Sequence, residues 1–138
     1  VIRPARVADL DALEVLLLRA AERAAFTRLD VPRARRTLAE YIVHRGCFSM
    51  VSDDVGGALF GRIGTPWYGH TRTASELFFY AEDGSGGWLL RRFLRWAREQ
   101  QAEAVFMVSS TGINPERAAR LYEGLGLPQV GTVHRGAI

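Results

Sequence analysis

Ser109-Ser110-Thr111-Gly112-Ile113-Asn114-Pro115-Glu116-Arg117-Ala118-Ala119-Arg120-Leu121-Tyr122-Glu123-Gly124-Leu125-Gly126-Leu127 is the stretch on which the fold turns. It reads as the end of a strand, a capped helix and a turn into a further strand. Asn114 can cap the helix, and Pro115 fits its first turn, where the missing N–H would have had no partner. Helical spacing puts Tyr122 on a face shared with Ala118, Leu121 and Leu125. A phenol on an otherwise apolar face is either a core tyrosine tied by a hydrogen bond or a placed proton donor. The residues leave both readings open.

Working back from this helix, Ala104 to Ser109 reads as a strand, preceded by a helix from about Trp88 to Gln101. That helix carries Leu89, Phe93, Trp96 and Ala97 on one face. Asp83 to Gly87 is a glycine loop. Ala74 to Glu82 is an aromatic-rich strand, whose alternation would put Glu76, Phe78 and Tyr80 on one face and Leu77 and Phe79 on the other. Thr65 to Thr73 is a loop. Cys47 to Ser52 and Ala58 to Ile63 flank Asp53-Asp54-Val55-Gly56-Gly57, a hairpin signal. Asp30 before Pro32 starts a helix running to about His44. Asp9 can cap an earlier helix whose Leu10, Leu13, Leu17, Ala20 and Ala24 follow helical spacing. Val1 to Ala5 is a first strand and Val130 to His134 a last one. The predicted order is β-α-α-β-β-β-α-β-α-β, an α/β mixed central sheet with helices on both faces. A doubly wound dinucleotide fold is disfavoured, because the first half lacks βαβ units and a glycine fingerprint.

Composition narrows the chemistry. The chain has 138 residues, enough for one domain over 1–138 and too few for two. No apolar run approaches the ~20 residues of a membrane span, and no export leader is recognisable. All 18 basic residues are arginine, which excludes a Schiff-base lysine and a P-loop lysine. The net charge is only +3. Arg33, Arg35 and Arg36, and Arg91, Arg92, Arg95 and Arg98, are local excesses. They read as solvated helix faces or as phosphate or acidic-partner sites. Nucleic acid is not an expected partner, since no interleaved aromatics or known motif accompany them. Cys47 is the single cysteine. It reads as a packed thiol in a reducing compartment rather than as a nucleophile. His44, His70 and His134 show no metal spacing, and no metal is expected.

Three segments carry a resemblance to a known family. Ala74-Ser75-Glu76-Leu77-Phe78-Phe79-Tyr80-Ala81 resembles the central fourth strand of the Gcn5-related N-acetyltransferases (GNAT). Gly84-Ser85-Gly86-Gly87-Trp88-Leu89 stands at their pyrophosphate loop, and Asn114 to Leu127 is similar to their closing Asn…Ala…Tyr…Gly-Phe motif. The resemblance spans essentially the whole chain and is closest in style to small bacteriophage-encoded members.

The resemblance implies an acetyl-CoA-dependent N-acyltransferase, with acetyl-CoA as co-substrate and an amine acceptor attacking the thioester directly. Glu76 would be the base and Tyr122 the acid that protonates the departing thiolate. Phe79, Gly84, Ser85, Gly86, Gly87, Trp88 and Asn114 would contact CoA, while Trp67, Tyr68 and His70 would border the acceptor pocket. A glycine loop opening a helix presents unpaired N–H groups and the positive end of the helix dipole to a pyrophosphate. Here Gly84 replaces the family's Gln/Arg, and Leu89 stands where a small residue is usual, so Leu89 is expected to crowd the phosphate. That departure supports an alternative, a catalytically degenerate interaction or virion structural protein of a phage. The expected setting is the cytoplasm, that of a host if phage-encoded. A homodimer or phage proteins are the macromolecular partners expected.

Overall fold

The computed structural model describes residues 1–24, 28–108, 113–136 and 138. Among the described residues, five strands form one sheet in the order β1-β2-β3-β4-β5: Ile2–Pro4, Cys47–Ser52, Gly57–Gly64, Thr73–Ala81 and Ala104–Phe106. The first four are antiparallel neighbours, and β5 runs parallel to β4. The same residues form four α-helices: α1 Leu10–Arg23, α2 Val31–Val43, α3 Gly86–Glu99 and α4 Pro115–Gly124. This is the mixed sheet with helices on both faces expected above.

Two apolar clusters hold the layers together. On one face, Leu13, Leu16 and Ala20 of α1 and Leu38 of α2 pack on Val51, Ala58 and Phe60. Their helical spacing makes a stripe one face wide, which is why α1 forms where it does. On the other face, Leu89, Leu90, Phe93 and Ala97 of α3 pack on Phe48, Met50, Leu59 and Ala74. Leu121 and Tyr122 of α4, and Leu125 just past its end, join this second cluster, half-buried. Phe93 is fully buried; removing such a ring costs about 3–5 kcal/mol. It lies against Gly61, where an added Cβ would come 2.6 Å from the ring. The missing side chain lets α3 sit on the sheet.

The helix starts show local logic. The Asp30 carboxylate accepts the Arg33 N–H at 3.0 Å, with Pro32 in the first turn of α2. Asp9 departs from expectation. Its carboxylate accepts two hydrogen bonds from the Arg3 guanidinium, at 2.8 and 2.9 Å, and one from the Arg6 N–H, so it closes a 3₁₀ turn at Val7–Asp9 and makes no side-chain cap on α1.

Three expected boundaries change. α3 begins at Gly86, so Gly86 and Gly87 belong to its first turn and not to the loop. β5 ends at Phe106, earlier than Ser109, which lies outside the described residues along with Ser110, Thr111 and Gly112. No strand forms at Val130 to His134. Val130 and Val133 are 86% and 60% exposed and pair with no strand of the sheet, and a lone extended segment gains too little to hold itself together.

Candidate functional site

β4 and β5 are paired only at Thr73–Ala104, Ala74–Val105 and Ser75–Phe106. Among the described residues the ladder stops at Ser75, and Met107 and Val108 part from β4, leaving a gap beside Glu76. At the same point Gly61 of β3 pairs with Glu76 while Phe60 pairs with Phe78, so Leu77 is an extra residue, a β-bulge. The bulge overturns the expected alternation. Glu76 shares the α3/α4 face with Ala74, and Phe78 and Tyr80 lie on the opposite face against α1 and α2. Simple period-2 counting fails because one residue has been inserted.

The Glu76 carboxylate reaches across the gap and accepts the Val108 N–H at 3.1 Å. A side chain thus replaces the ladder bond that the parting strands have lost. Burial raises its pKa from the ordinary value to about 7, against the opposing pull of the Val108 N–H.

The start of α3 lies at the far end of this track. Gly84 has a φ of +83°, a turn that glycine makes without strain. The Asp83 carboxylate accepts both the Ser85 N–H, at 3.0 Å, and the Ser85 hydroxyl, at 2.6 Å. Burial pushes the Asp83 carboxyl up, but hydrogen bonds from Ser52 and Ser85 outweigh it and hold the group below its ordinary range. Ser52 in turn accepts the N–H groups of Gly56 and Gly57 at 3.0 Å. A Cβ on Gly57 would fall 2.1 Å from the Ser85 hydroxyl, so the β2–β3 turn and the glycine loop are packed as one piece. Sequence reading singled out neither Ser52 nor Asp83; the Asp-Gly-Ser spacing of an Asx turn was the available signal.

Among the described residues, no partner is found for the N–H groups of Gly86, Gly87 and Trp88, the first turn of α3. Such groups, with the helix dipole, favour an anion. Trp88 is 58% exposed, and its ring carries the Arg91 guanidinium at 5.6 Å. Leu89 does not crowd this turn as expected. It is fully buried, pointing into the cluster with Phe93.

Phe79 links the two ends. A Cβ on Gly86 would lie 3.6 Å from its ring, and the ring centroid is 6.5 Å from that of Tyr122. Phe79, Gly86 and Tyr122 are therefore neighbours on the same face as Glu76. Asn114 caps α4, its side-chain oxygen accepting the Arg117 N–H at 3.4 Å from a left-handed backbone with φ +43°.

Trp67, Tyr68 and His70 lie on an exposed loop, Trp67 at 95% exposure. They do not line the groove of about 460 Å³ between α2, β2, β3 and Arg72. Cys47 borders that groove half-buried, and burial pushes its thiol up, which suits a packed residue and not a nucleophile. No group of three or more His, Cys, Asp or Glu residues that could hold a metal is found among the described residues, and no described helix is long and apolar enough to cross a membrane.

No protein-family model matches the sequence, and no curated protein matches it. Solved structures do match its fold. A predicted acetyltransferase from Clostridium acetobutylicum, solved with acetyl-CoA, superposes with a TM-score of 0.72 at 13% identity, covering 99% of this chain and 95% of that one. A ribosomal-protein-alanine N-acetyltransferase from Brucella melitensis biovar Abortus gives 0.68 at 15%, covering 100% and 99%. An aminoglycoside 6′-N-acetyltransferase from Acinetobacter haemolyticus gives 0.70 at 12%, covering 100% and 97%. The chain has the fold of these acetyltransferases, the Gcn5-related N-acetyltransferase fold, over its whole length.

Proposed function

We propose that residues 1–138 form one acyltransferase domain that moves an acetyl group from acetyl-CoA to an amine. The observation that carries this reading is the parting of β4 from β5 with a carboxyl of pKa about 7 set across the gap. The fold shared with acetyltransferases supports it, one of them solved with acetyl-CoA.

The chemistry assigned to each residue follows from its place. The N–H groups of Gly86, Gly87 and Trp88 hold the pyrophosphate, with Gly84 and Ser85 shaping the approach. The pantetheine arm runs along the open edge of β4, past Phe79 and towards Asn114, taking hydrogen bonds from backbone that β5 leaves unpaired. The thioester carbonyl is polarised by that same edge. Glu76 removes a proton from the amine; a base with a pKa near the working pH is half ionised there and strong enough to act. The amine nitrogen bonds to the acetyl carbon, the carbon–sulfur bond breaks, and Tyr122 gives its phenolic proton to the departing thiolate. Holding two substrates in line supplies most of the acceleration.

A thermal shift with acetyl-CoA tests the first half of this. A ligand at about 100 times its Kd stabilises the native state by roughly 2.7 kcal/mol. Absence of any shift at millimolar acetyl-CoA would sink the enzyme reading. One observation favours the second reading, a non-catalytic protein of the same fold, whether or not phage-encoded: the Asp83 carboxylate beside the first turn of α3 places a negative charge near the proposed phosphate site. That reading predicts no shift.

A further inference from the structure

The groove beside α2 lies on the α1/α2 face of the sheet, where Cys47 and Arg62 are cross-strand partners. Its volume of about 460 Å³ falls within the range of small-molecule sites. Arg62 and Arg72 are both exposed at its wall, and neither guanidinium has a carboxylate within ion-pair distance among the described residues. Arg72 donates through Nε to the Gln100 carbonyl at 2.7 Å, which fixes the side chain and leaves its terminal nitrogens for another acceptor. His44 Nδ1 accepts the Gly46 N–H at 3.0 Å, so the neutral ring presents Nε2–H as a donor. Burial pushes the Tyr41 phenol and the Cys47 thiol up, and the charge of Arg62 opposes this in both. Among the described residues, Glu40 is the only carboxylate lining the groove.

The groove also adjoins the gap. Arg62 pairs with Ser75, the last residue of β4 that is joined to β5. Arg72 immediately precedes β4, and its carbonyl accepts the Glu103 N–H at 2.7 Å, which staples the starts of β4 and β5 together. One strand spacing across and one residue along separate Arg62 from Glu76, roughly 6 Å at backbone level. Their side chains point to opposite faces, Arg62 towards α1 and α2 and Glu76 towards α3 and α4, so an amine on a group held by Arg62 reaches Glu76 by entering the gap between β4 and β5.

Resting on the acyltransferase reading, we infer that this groove selects an acceptor carrying an oxyanion beside its amine, a carboxylate or a phosphate held by Arg62 and Arg72. The two guanidinium groups provide planar donor pairs suited to either oxyanion. They repel polycations, so an aminoglycoside or polyamine acceptor is disfavoured even though fold neighbours include an aminoglycoside enzyme.

Calorimetric titration of the full chain without acetyl-CoA tests the groove directly. The probes are L-aspartate, O-phosphoserine, L-asparaginamide (which keeps the amine and lacks the acid) and spermidine. The two acids are expected to bind, with asparaginamide and spermidine at least about tenfold weaker. Arg62→Gln should weaken the acids about tenfold or more, and Arg62→Lys should restore part of the loss. Both side chains are exposed, and thermal melts of each variant verify the fold. Tighter binding of aspartate assigns the site to carboxylates, and tighter binding of phosphoserine to phosphates. Equal binding of spermidine or asparaginamide, no heat from either acid, or isotherms unchanged by Arg62→Gln would overturn the inference. A separate titration with acetyl-CoA keeps the two readings apart. Acid binding without acetyl-CoA binding overturns acyl transfer and leaves the anion groove standing, and the converse overturns the groove alone.

Discussion

At Glu76 one carboxyl stands between two demands. It replaces a lost ladder bond to Val108, and burial in the gap disfavours its charge. A pKa of about 7 against an ordinary value near 4.5 corresponds to at most about 3 kcal/mol against the ionised form. The folded-state pKa is the higher one, so the native state binds the proton more tightly than the unfolded chain does. Stability is therefore greatest below about pH 4.5 as far as this group is concerned, and falls as pH rises towards 7. Glu76→Gln keeps an oxygen for the Val108 N–H and has no charge to bury. The variant should match the parent near pH 4.5 and melt several degrees higher at pH 8, while losing acetyl transfer; melts at the two pH values check this. If Glu76 is the base, kcat/KM of the parent should rise through pH 7 and level off above it. Tyr122→Phe should cut turnover by roughly 10²–10⁴ and leave acetyl-CoA affinity nearly unchanged, as a lost general acid would. Unchanged turnover would remove Tyr122 from that role. Sequence alone singled out Glu76 and Tyr122 as candidates by type and position. It could not show that Glu76 faces α3 and α4, because no glycine or proline marks the bulge at Leu77.

At the scale of elements, glycines do more than turn the chain. The Asp53 to Gly57 hairpin was legible from composition, and β2 and β3 form where it predicts. Gly61, inside β3, carries no such signal, yet its bare Cα lets Phe93 of α3 touch the sheet. In Gly61→Ala the Cβ would meet the Phe93 ring at 2.6 Å and the Ser75 carbonyl at 2.8 Å. The ring can shift; the carbonyl is strand backbone next to the gap and cannot shift without disturbing Glu76. Overpacking of this kind costs about 1–3 kcal/mol. Gly61→Ala should lower the unfolding free energy by that amount, read from urea denaturation, and also change the pH dependence carried by Glu76. Gly64→Ala, whose Cβ meets nothing within 4 Å, is the control for loss of glycine from the same strand. Helix starts were readable from Asp30-Val31-Pro32 and Asn114-Pro115, because a cap acts over three residues. The absence of a strand at Val130 to His134 was not readable. Its alternation is that of a strand, and alternation alone does not bring a segment to the edge of a sheet.

Across the whole molecule, the shifted carboxyls act in opposite directions and together set where the chain is most stable. Asp9 is held below its ordinary range by the hydrogen bonds from Arg3, opposed by burial, in a clamp that ties β1 to the start of α1. Asp83 is lowered by its hydroxyl partners despite burial, in the cluster that joins the glycine loop to the β2–β3 turn. A lowered folded-state pKa adds stability above the unfolded value near 4, and this is lost as pH falls further. Glu76 has the opposite sign and loses its contribution as pH rises from about 4.5 to 7. The composition steepens the acid side. The 18 arginines stay charged while the 15 carboxyls protonate, so self-repulsion grows quickly below pH 4. The sum is a stability maximum near pH 4.5–5, displaced to the acid side of neutrality. Urea midpoints measured from pH 3 to 9 should trace a dome there, with Asp9→Asn flattening its acid limb and Glu76→Gln its neutral limb. A parent profile that still climbs between pH 5 and 7 would mean that Glu76 is not buried in the gap, and would remove the base on which the proposed chemistry depends.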